Sequence, residues 1–252
     1  MFRSLRTIIL GLAIVGSWSA AGQSAAESYA EAAAVARGEM VRLLELEVES
    51  IATLTGIRAI DPAVLAAMRE VPRHEFVPAE LRPYSYRNHP LPLGHEQNIA
   101  APLLVALMTH LVDPEADDVV FETGTGAGYH AAVLAGLVKR VYSVEVVEPL
   151  ASQSAKLLKD QGYDNVITRT GDGYYGWPEH APYDAILIKE ALDHVPTPLL
   201  RQLKRGGRMV LPLGPPRGPQ FLTVIHKGQD GETREERIMP VLFSPLQGGE
   251  RL

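Results

Sequence analysis

The chain has 252 residues, 46% of them apolar, which is enough for one large α/β domain with a complete hydrophobic core. Its formal net charge of -6 argues against a protein that binds nucleic acid through a basic face, and we expect no nucleic-acid partner. Because the sequence contains no cysteine, a disulfide framework, a thiolate metal site and a cysteine nucleophile are excluded.

Residues 1–26 have the pattern of a secretory signal peptide. Arg3 and Arg6 give a positive start, and the apolar run 7–16 is too short to span a bilayer comfortably. We expect removal on export, a periplasmic or secreted mature protein, and no stable membrane association after processing. The alternative is an uncleaved N-terminal anchor. Small residues supply two candidate cleavage sites, Ser19-Ala20-Ala21 and Ser24-Ala25-Ala26.

Residues 27–112 are expected to form N-terminal helices and a substrate-loop region. Residues 27–53 are rich in Ala, Glu, Leu and Arg, which predicts one long helix or two short ones. Asp61-Pro62 predicts the start of another helix, with Asp as its N-cap and Pro in its first turn. Residues 73–100 contain several prolines and are expected to form an ordered loop. Residues 102–111 are apolar and are expected to form a helix.

Residues 113–252 alternate between strand and helix, the rhythm of a mostly parallel sheet with helices on both faces. We therefore predict an α/β, Rossmann-like core that carries a helical N-terminal extension. Two segments, 221–226 and 237–243, predict a closing antiparallel hairpin around residues 229–231. The predicted strands are 119–122, 141–145, 166–169, 183–188 and 208–213, and the predicted helices are 129–137, 149–161 and 198–204.

A glycine-rich loop follows the first predicted strand of this core and precedes a helix. Gly124, Gly126 and Gly128 occupy alternate positions, where glycine lets the backbone turn sharply and approach a ligand closely. A nucleotide-binding dehydrogenase would instead have the spacing G-x-G-x-x-G. The spacing G-x-G-x-G, preceded by the acid Glu122, resembles motif I of S-adenosylmethionine (SAM) methyltransferases.

Two further acids follow the next two strands, where ligands bind in open α/β sheets. Glu145 is placed to accept both ribose hydroxyls, and Asp172 is placed near the adenine amino group. The alternative is that both acids only cap the helices or turns that follow them. The prediction is therefore a SAM methyltransferase fold with SAM as cofactor, bound by Glu122, Gly124, Gly126, Gly128, Glu145 and Asp172.

Segments outside the glycine loop carry a more specific similarity. They are residues 64–78, 90–94, 162–166, 171–173, 176–178, 202–204, 206–208 and 243–246. Through them, roughly residues 58–247 resemble the protein-L-isoaspartate O-methyltransferases. The resemblance implies methyl transfer from SAM to the side-chain carboxylate of isoaspartyl residues in damaged proteins or peptides. We expect a monomer that acts on such a substrate.

This chemistry makes modest demands on the protein. A carboxylate is already ionised at neutral pH, so its methylation requires no strong base. The protein has to align the oxygen, methyl group and sulfur and to exclude water. It also has to recognise the carboxylate through hydrogen-bond donors.

The expected acceptor loop departs from the family pattern. The family's Gln-Thr-Ile-Ser-x-Pro corresponds here to Gln97-Asn98-Ile99-Ala100-Ala101-Pro102. Asn98 replaces the threonine, and Ala100 replaces the serine that the resemblance implies helps to hold the substrate carboxylate. Loss of a hydroxyl donor to a charged partner costs about 1.5–3 kcal/mol.

A second departure follows the fourth strand, where residues 189–194 replace a small Thr-Ala-Ala-Ala run, and His130 stands where the family often has Gln. Surface drift is one explanation. A changed, smaller acceptor with His194 or Glu190 as general base is another. A metal site of His and carboxylate ligands is a third, and a non-catalytic binding protein remains a further alternative. The side chains expected to meet at one mouth are His95, Glu96, His130, Lys189, Glu190, Asp193 and His194.

From these departures we assign four candidate catalytic residues, Asn98, Ala100, Glu190 and His194. No residue is assigned to a metal.

Overall fold

The structure is a computed structural model that describes residues 12–215 and 217–248, with side chains from residue 27 onward. Residues 1–11 of the predicted signal peptide lie outside the described residues, and residues 12–26 are described only as helical backbone. Export therefore stays a prediction. Among the helices of the described chain, none has an apolar stretch long enough to cross a membrane.

Helices surround one large sheet. The helices are α1 (Leu12–Ser50), α2 (Ala52–Thr55), α3 (Pro62–Glu70), α4 (Pro102–Val112), α5 (Tyr129–Ala135), α6 (Glu148–Asp160) and α7 (Thr197–Gln202). The strands are β1 (Leu91–Gly94), β2 (Gln97–Ile99), β3 (Val119–Thr123), β4 (Arg140–Glu145), β5 (Val166–Thr170), β6 (Tyr183–Leu187), β7 (Leu203–Leu213), β8 (Gln220–Lys227) and β9 (Thr233–Val241).

Strands β3 to β9 form a seven-stranded sheet in the order β5-β4-β3-β6-β7-β8-β9. Strands β3 to β7 are parallel to one another, whereas β8 runs antiparallel to both β7 and β9. The predicted mostly parallel sheet and closing hairpin are confirmed. The chain leaves β3 toward β4 and β5 and then returns to β6 on the other side, so the topological switch point lies between β3 and β6.

Both faces of the sheet are covered. Neighbouring residues of β3 point to opposite sides, and both Val120 and Phe121 are fully buried. Val120 belongs to the larger core, which also contains residues of α1 and α3 to α6. Phe121 belongs to the smaller core, which packs against α7 and Trp177. This two-sided burial explains why the parallel strands are nearly continuous apolar segments.

The N-terminal helices begin and end at residues that the sequence marks. Helix α1 continues to Ser50, and the short α2 ends at Gly56, whose positive φ of 73° suits glycine. Helix α3 begins where predicted, because Asp61 Oδ1 accepts a hydrogen bond from the Ala63 N–H at 2.7 Å. Its apolar face then packs Val64 and Met68 into the core.

The helices predicted at 129–137 and 198–204 end two residues earlier, at Ala135 and Gln202, and three larger differences from the prediction lie elsewhere. The expected loop 73–100 contains the two-stranded hairpin β1–β2, whose turn residues His95 and Glu96 both have positive φ. Strand β7 begins at Leu203 instead of residue 208, since it pairs with Tyr183 before an irregularity in the register. Strand β9 begins at Thr233 instead of residue 237, since Thr233 already pairs with Lys227 of β8. The prediction missed this first half because it is exposed and lacks an apolar alternation.

Candidate active site

The glycine loop lies at the carboxyl end of β3, beside the topological switch point. Gly124, Gly126 and Gly128 have φ values of 60°, 56° and 92°, a region that favours glycine. A Cβ atom at Gly128 would lie 3.1 Å from Leu158 on α6, so this glycine also permits close helix packing. The loop conformation therefore depends on these residue types.

Glu145, at the end of β4, fixes the glycine loop from the side. Its Oε2 accepts a hydrogen bond from the Gly126 N–H at 2.7 Å, and its Oε1 accepts one from the Val147 N–H at 2.9 Å. Each carboxylate oxygen keeps further acceptor capacity. Glu145 also lines the adjoining cleft, so it is placed both to hold the loop and to accept hydrogen bonds from a ligand.

A buried polar network lies beneath the loop. Thr125 Oγ1 and Ser143 Oγ are 2.6 Å apart, and Ser143 Oγ donates to Glu122 Oε1 at 2.7 Å. Lys189 Nζ donates to Glu122 Oε2 at 2.9 Å. Both oxygens of Glu122 are thus bonded within the protein, and the side chain is fully buried. Ser143 is missing from the sequence-based site because its one signal, a single hydroxyl in an otherwise apolar stretch of strand, does not by itself mark a functional residue.

Lys189 points inward instead of standing at the rim. Its side chain is 13% exposed, and its charge neutralises that of Glu122. A buried ion pair of this kind is costly to break, because loss of one partner leaves the other charge desolvated.

Glu190, the next residue, lies directly over the first glycine of the loop. A methyl group built at Gly124 would overlap its carboxyl group. Thr123 Oγ1 donates to Glu190 Oε2 at 2.5 Å. Burial raises the pKa of Glu190 from 4.5 to about 7. The sequence predicted Glu190 at the site, but its contact with Gly124 depends on the meeting of β3 and β6.

A cavity of about 240 Å³ opens beside the glycine loop. Asn98 and Ala100 of the expected acceptor loop line one wall, and Lys189 and Glu190 line another. A narrower cleft on the other side of Glu190 is lined by Val146, Gly173 and Glu145, among others. Of the predicted cofactor residues, Gly124, Gly126 and Glu145 line this cleft, whereas Glu122, Gly128 and Asp172 do not.

The C-terminal segment covers this cleft. Residues 242–244 line the cavity, and Pro245, Leu246 and Gln247 line the narrower part. The Ala191 N–H donates to the Ser244 carbonyl at 2.8 Å, and the Leu246 N–H donates to the Ala191 carbonyl at 3.0 Å. Sequence similarity marked this segment as characteristic, but its position over the cleft emerges only from the fold.

Asp172 caps the turn after β5, and its predicted role toward the adenine stays a prediction. Its Oδ1 accepts a hydrogen bond from the Tyr174 N–H at 2.9 Å. A Cβ atom at the next residue, Gly173, would lie 2.7 Å from Thr123 Cγ2, so glycine is needed there for close packing. The cap and this close contact fix the wall of the narrow cleft.

The predicted rim residues separate into two groups. Lys189, Glu190 and His130 line the cavity, whereas His95 and Glu96 lie in the exposed hairpin turn. His194 also stands outside the lining of the cleft, exposed, and hydrogen-bonds to Asp193 at 2.6 Å and to Tyr174 at 3.0 Å.

Residues 189–194 are extended, not helical, so Glu190 and His194 do not share a helical face. Over the residues that the structure describes, no cluster of three or more His or carboxylate groups is suited to a metal ion.

His130 is neutral and buried. Thr109 Oγ1 donates to the Val105 carbonyl at 2.7 Å, so it accepts from His130 Nε2–H at 2.8 Å. Burial holds the pKa of His130 well below its usual range, and the charges of Lys189 and Arg73 act in the same direction. His130 Nδ1 is therefore an unprotonated hydrogen-bond acceptor, and it has no donor among the described residues.

Arg73 supports the acceptor loop from beneath. Its guanidinium group is fully buried and donates to the Ala100 carbonyl at 2.7 Å and to the Ser85 carbonyl at 2.8 Å. Burial lowers its pKa to about 10, so it remains a cation near neutral pH. The loop backbone at Ala100 is thus held in place although the family's serine is absent.

This sheet order, with a G-x-G-x-G loop after the central strand and acids after the next two strands, defines a Rossmann-like methyltransferase fold. The sequence profile described as Protein-L-isoaspartate(D-aspartate) O-methyltransferase matches residues 49–251. The chain belongs to the protein-L-isoaspartate O-methyltransferase family. The resemblance seen in the sequence, and the fold that it implied, are confirmed.

Relatives of known name are similar over most of the chain. Protein-L-isoaspartate O-methyltransferase 1 of Nitrosospira multiformis is 53% identical, covering 84% of this chain and 89% of the relative. Protein-L-isoaspartate O-methyltransferase 2 of Syntrophobacter fumaroxidans is 50% identical, covering 85% and 87%.

Solved structures agree in fold. A protein-L-isoaspartate O-methyltransferase matches with a TM-score of 0.72 and 28% identity, over 84% of this chain and 66% of its own length. A Plasmodium falciparum protein, described as a complex with S-adenosyl-L-homocysteine, matches with a TM-score of 0.67 and 21% identity, over 81% of this chain and 96% of its own.

Proposed function

We propose that this protein transfers the methyl group of SAM to the side-chain carboxylate of isoaspartyl residues in damaged proteins or peptides. The observation that carries the proposal is the shared cavity: the glycine loop and Glu145 form one side, and the acceptor loop with Asn98 and Ala100 forms the other. Membership of the family supports the same reaction.

The residues present fit the cofactor. The positive φ values of the glycine loop give it the sharp turn of a cofactor loop, and Glu145 has acceptor capacity for ribose hydroxyls. Gly173 lines the narrow cleft, and Asp172 caps the turn that carries it. Glu122 acts beneath the loop, through Ser143. When bound, SAM supplies a methyl group on a positively charged sulfur.

The residues of the chain contribute to this reaction by orienting the acceptor and excluding water. The acceptor carboxylate needs no base, because it is ionised near neutral pH. The C-terminal segment lies over the cleft and limits the access of water to it. Lys189 offers little attraction to a substrate carboxylate, since Glu122 already neutralises its charge. Recognition of the acceptor therefore depends on the loop 97–101.

A second candidate function is methyl transfer to a different, smaller acceptor. The observation that favours it is the wall of the cavity, where Ala100 lacks a hydroxyl donor and Glu190 adds a carboxyl group. An ionised Glu190 would repel a carboxylate acceptor, and a loop without a hydroxyl would hold it less tightly. An acceptor without negative charge would suffer neither effect.

The proposal extends to the cellular setting. We propose that residues 1–26 direct export and are removed, and that the mature protein acts as a monomer outside the cytoplasm. The pattern of two arginines, a short apolar run and small residues supports export and removal. Mass spectrometry of the N-terminus of protein recovered from a periplasmic or secreted fraction tests it, and a full-length N-terminus retained in the membrane would contradict it.

Methylation of a synthetic isoaspartyl peptide tests the activity. The peptide is incubated with the protein and SAM, and a gain of one methyl group is followed by mass spectrometry. The control is a peptide of identical sequence with an ordinary aspartyl residue. We expect methylation of the isoaspartyl peptide alone. SAM binding without methylation of either peptide would favour the second candidate.

A further inference from the structure

Glu190 stands where the two parts of the cleft meet. It is the side chain after β6 that lines both the cavity beside the acceptor loop and the narrower cleft beside Glu145 and Gly173. Its carboxyl group covers Gly124, at the point where glycine would otherwise let a ligand approach the backbone. A ligand that extends through both parts of the cleft has to contact Glu190 or displace it.

We propose that the Glu190 carboxylate is the recognition group for the positively charged part of SAM, an inference that rests on the proposed function. The cofactor carries two positive groups, the sulfonium and the α-ammonium of its methionine portion. A carboxylate that meets a cation in a partly desolvated cleft forms a strong, charge-assisted contact.

The other acids at this edge are already engaged. Glu122 is bonded to Lys189 and Ser143 beneath the loop. Glu145 is bonded to two backbone N–H groups. Glu190 receives one hydrogen bond, from Thr123, and within the described part of the chain it has no salt-bridge partner. Within the described residues, both oxygens of Glu122 and both of Glu145 accept hydrogen bonds, whereas Glu190 accepts one on Oε2 alone.

The charged groups around Glu190 determine when it ionises. Glu122 and Thr123 face it from β3, Glu145 faces it from β4, and Lys189 precedes it on its own segment. Burial, assisted by the Glu145 and Glu122 charges, outweighs the Thr123 hydrogen bond and Lys189, and raises the pKa of Glu190 to about 7.

Glu190 is therefore largely protonated in the free protein below about pH 7. A bound cation stabilises the carboxylate and lowers this pKa, so cofactor binding releases a proton in that pH range.

Calorimetric titration of the full chain with SAM tests the inference. The titration is made at about pH 6 and about pH 8.5, in pairs of buffers with different ionisation enthalpies, which gives the number of protons released. We expect the release of close to one proton per SAM at the lower pH and no release at the higher pH, where a ligand bound through its ammonium group would instead take up a proton, because a free α-amino group is largely neutral there. Glu190→Gln should abolish the release and weaken SAM binding about 10-fold at the higher pH.

A matched control and a second ligand complete the design. Glu148→Gln, an exposed residue at the start of α6, should leave proton release unchanged. S-adenosylhomocysteine keeps the ammonium group and lacks the sulfonium charge. Release with both ligands would assign the Glu190 contact to the ammonium, and release with SAM alone would assign it to the sulfonium.

Three outcomes would overturn the inference. The first is the absence of proton release in the wild-type protein, a measurement that needs no variant. The second is equal release in wild type and Glu190→Gln. The third is tighter SAM binding by both Glu190→Gln and Glu190→Ala, which would mean that Glu190 only obstructs the cleft. Failure of the wild type to bind SAM would instead contradict the proposed function.

Discussion

Lys189 Nζ lies 2.9 Å from Glu122 Oε2, and this ion pair joins the ends of β6 and β3 beneath the glycine loop. The two residues are 67 positions apart in the chain, and both belong to the cleft edge at the topological switch point. The pair ties the floor of the cofactor cleft to the segment that carries Glu190. Its integrity should therefore influence both stability and the shape of the site.

The ion pair between Lys189 and Glu122 should stabilise the folded protein. Lys189→Met removes one buried charge and leaves the other desolvated, so we expect a loss of about 3–5 kcal/mol in the free energy of unfolding. Adding Glu122→Gln to this variant should restore most of the loss, because no unpaired charge then remains. Urea denaturation of the two single variants and the double variant measures the coupling, and simply additive losses would contradict it.

Glu145 should be important for cofactor affinity. Glu145→Ala removes the acceptor of the Gly126 and Val147 N–H groups and a carboxylate from the cleft. We expect SAM binding to weaken by about 1–3 kcal/mol, measured by calorimetry. Glu148→Ala, three residues later and exposed, is the control and should bind normally. If Glu145→Ala binds SAM as tightly as the wild-type protein, Glu145 does not bind the cofactor.

Restoring the family pattern in the acceptor loop should raise isoaspartyl activity. The double variant Asn98→Thr, Ala100→Ser returns a hydroxyl donor to the wall of the cavity. Since a hydrogen bond to a charged group contributes about 1.5–3 kcal/mol, we expect kcat/KM for an isoaspartyl peptide to rise about 10-fold. No gain in a correctly folded variant would show that this loop does not recognise the acceptor through that hydroxyl.

Glu190 should make the stability of the protein depend on pH. Its pKa in the folded protein, about 7, exceeds the ordinary value of 4.5. Its contribution to stability is therefore fully present below pH 4.5 and is lost as the pH rises through about 7.

Glu190→Gln removes this dependence, so relative to wild type it should gain about 3 kcal/mol between those pH values. Thermal or urea unfolding across this range measures the difference, and a constant difference between the two proteins would be inconsistent with a buried, titrating carboxyl group.

His194 distinguishes the two candidate acceptors. The isoaspartyl carboxylate needs no general base, and His194 lies exposed beside Asp193 and Tyr174. We therefore expect His194→Gln to change kcat with an isoaspartyl peptide by less than about 3-fold, whereas loss of a general base costs about 100-fold or more. A loss of that size would indicate a base and favour a different acceptor.

The sequence predicted the elements that depend on local pattern. The buried parallel strands are short apolar runs, so β3, β4 and β5 were predicted to within one residue at each end. The start of α3 depends on Asp61 and Pro62, which are next to each other in the sequence. Asp61 accepts its hydrogen bond from Ala63, two residues later, so the signal is local. The first half of β9 was missed, because an exposed edge strand has no apolar alternation.

Contacts between distant segments could not be predicted. Lys189 and Glu190 were expected at the mouth of the site, and both line the cavity. Their inward directions, however, depend on Glu122 and Thr123, which reach them only when β6 pairs with β3. The cover formed by residues 242–247 likewise depends on the backbone pairing of Ala191 with the C-terminal segment. The spacing of neighbouring residues in the sequence does not predict which distant segments pair.

The most direct test of the proposed reaction is the kcat/KM for SAM-dependent methylation of an isoaspartyl peptide, relative to the aspartyl peptide of identical sequence. We expect measurable turnover with the isoaspartyl peptide, a much smaller kcat/KM with the aspartyl peptide, and loss of turnover in Glu145→Ala. Equal values for the two peptides, or no turnover by a protein that binds SAM, would contradict the proposed reaction.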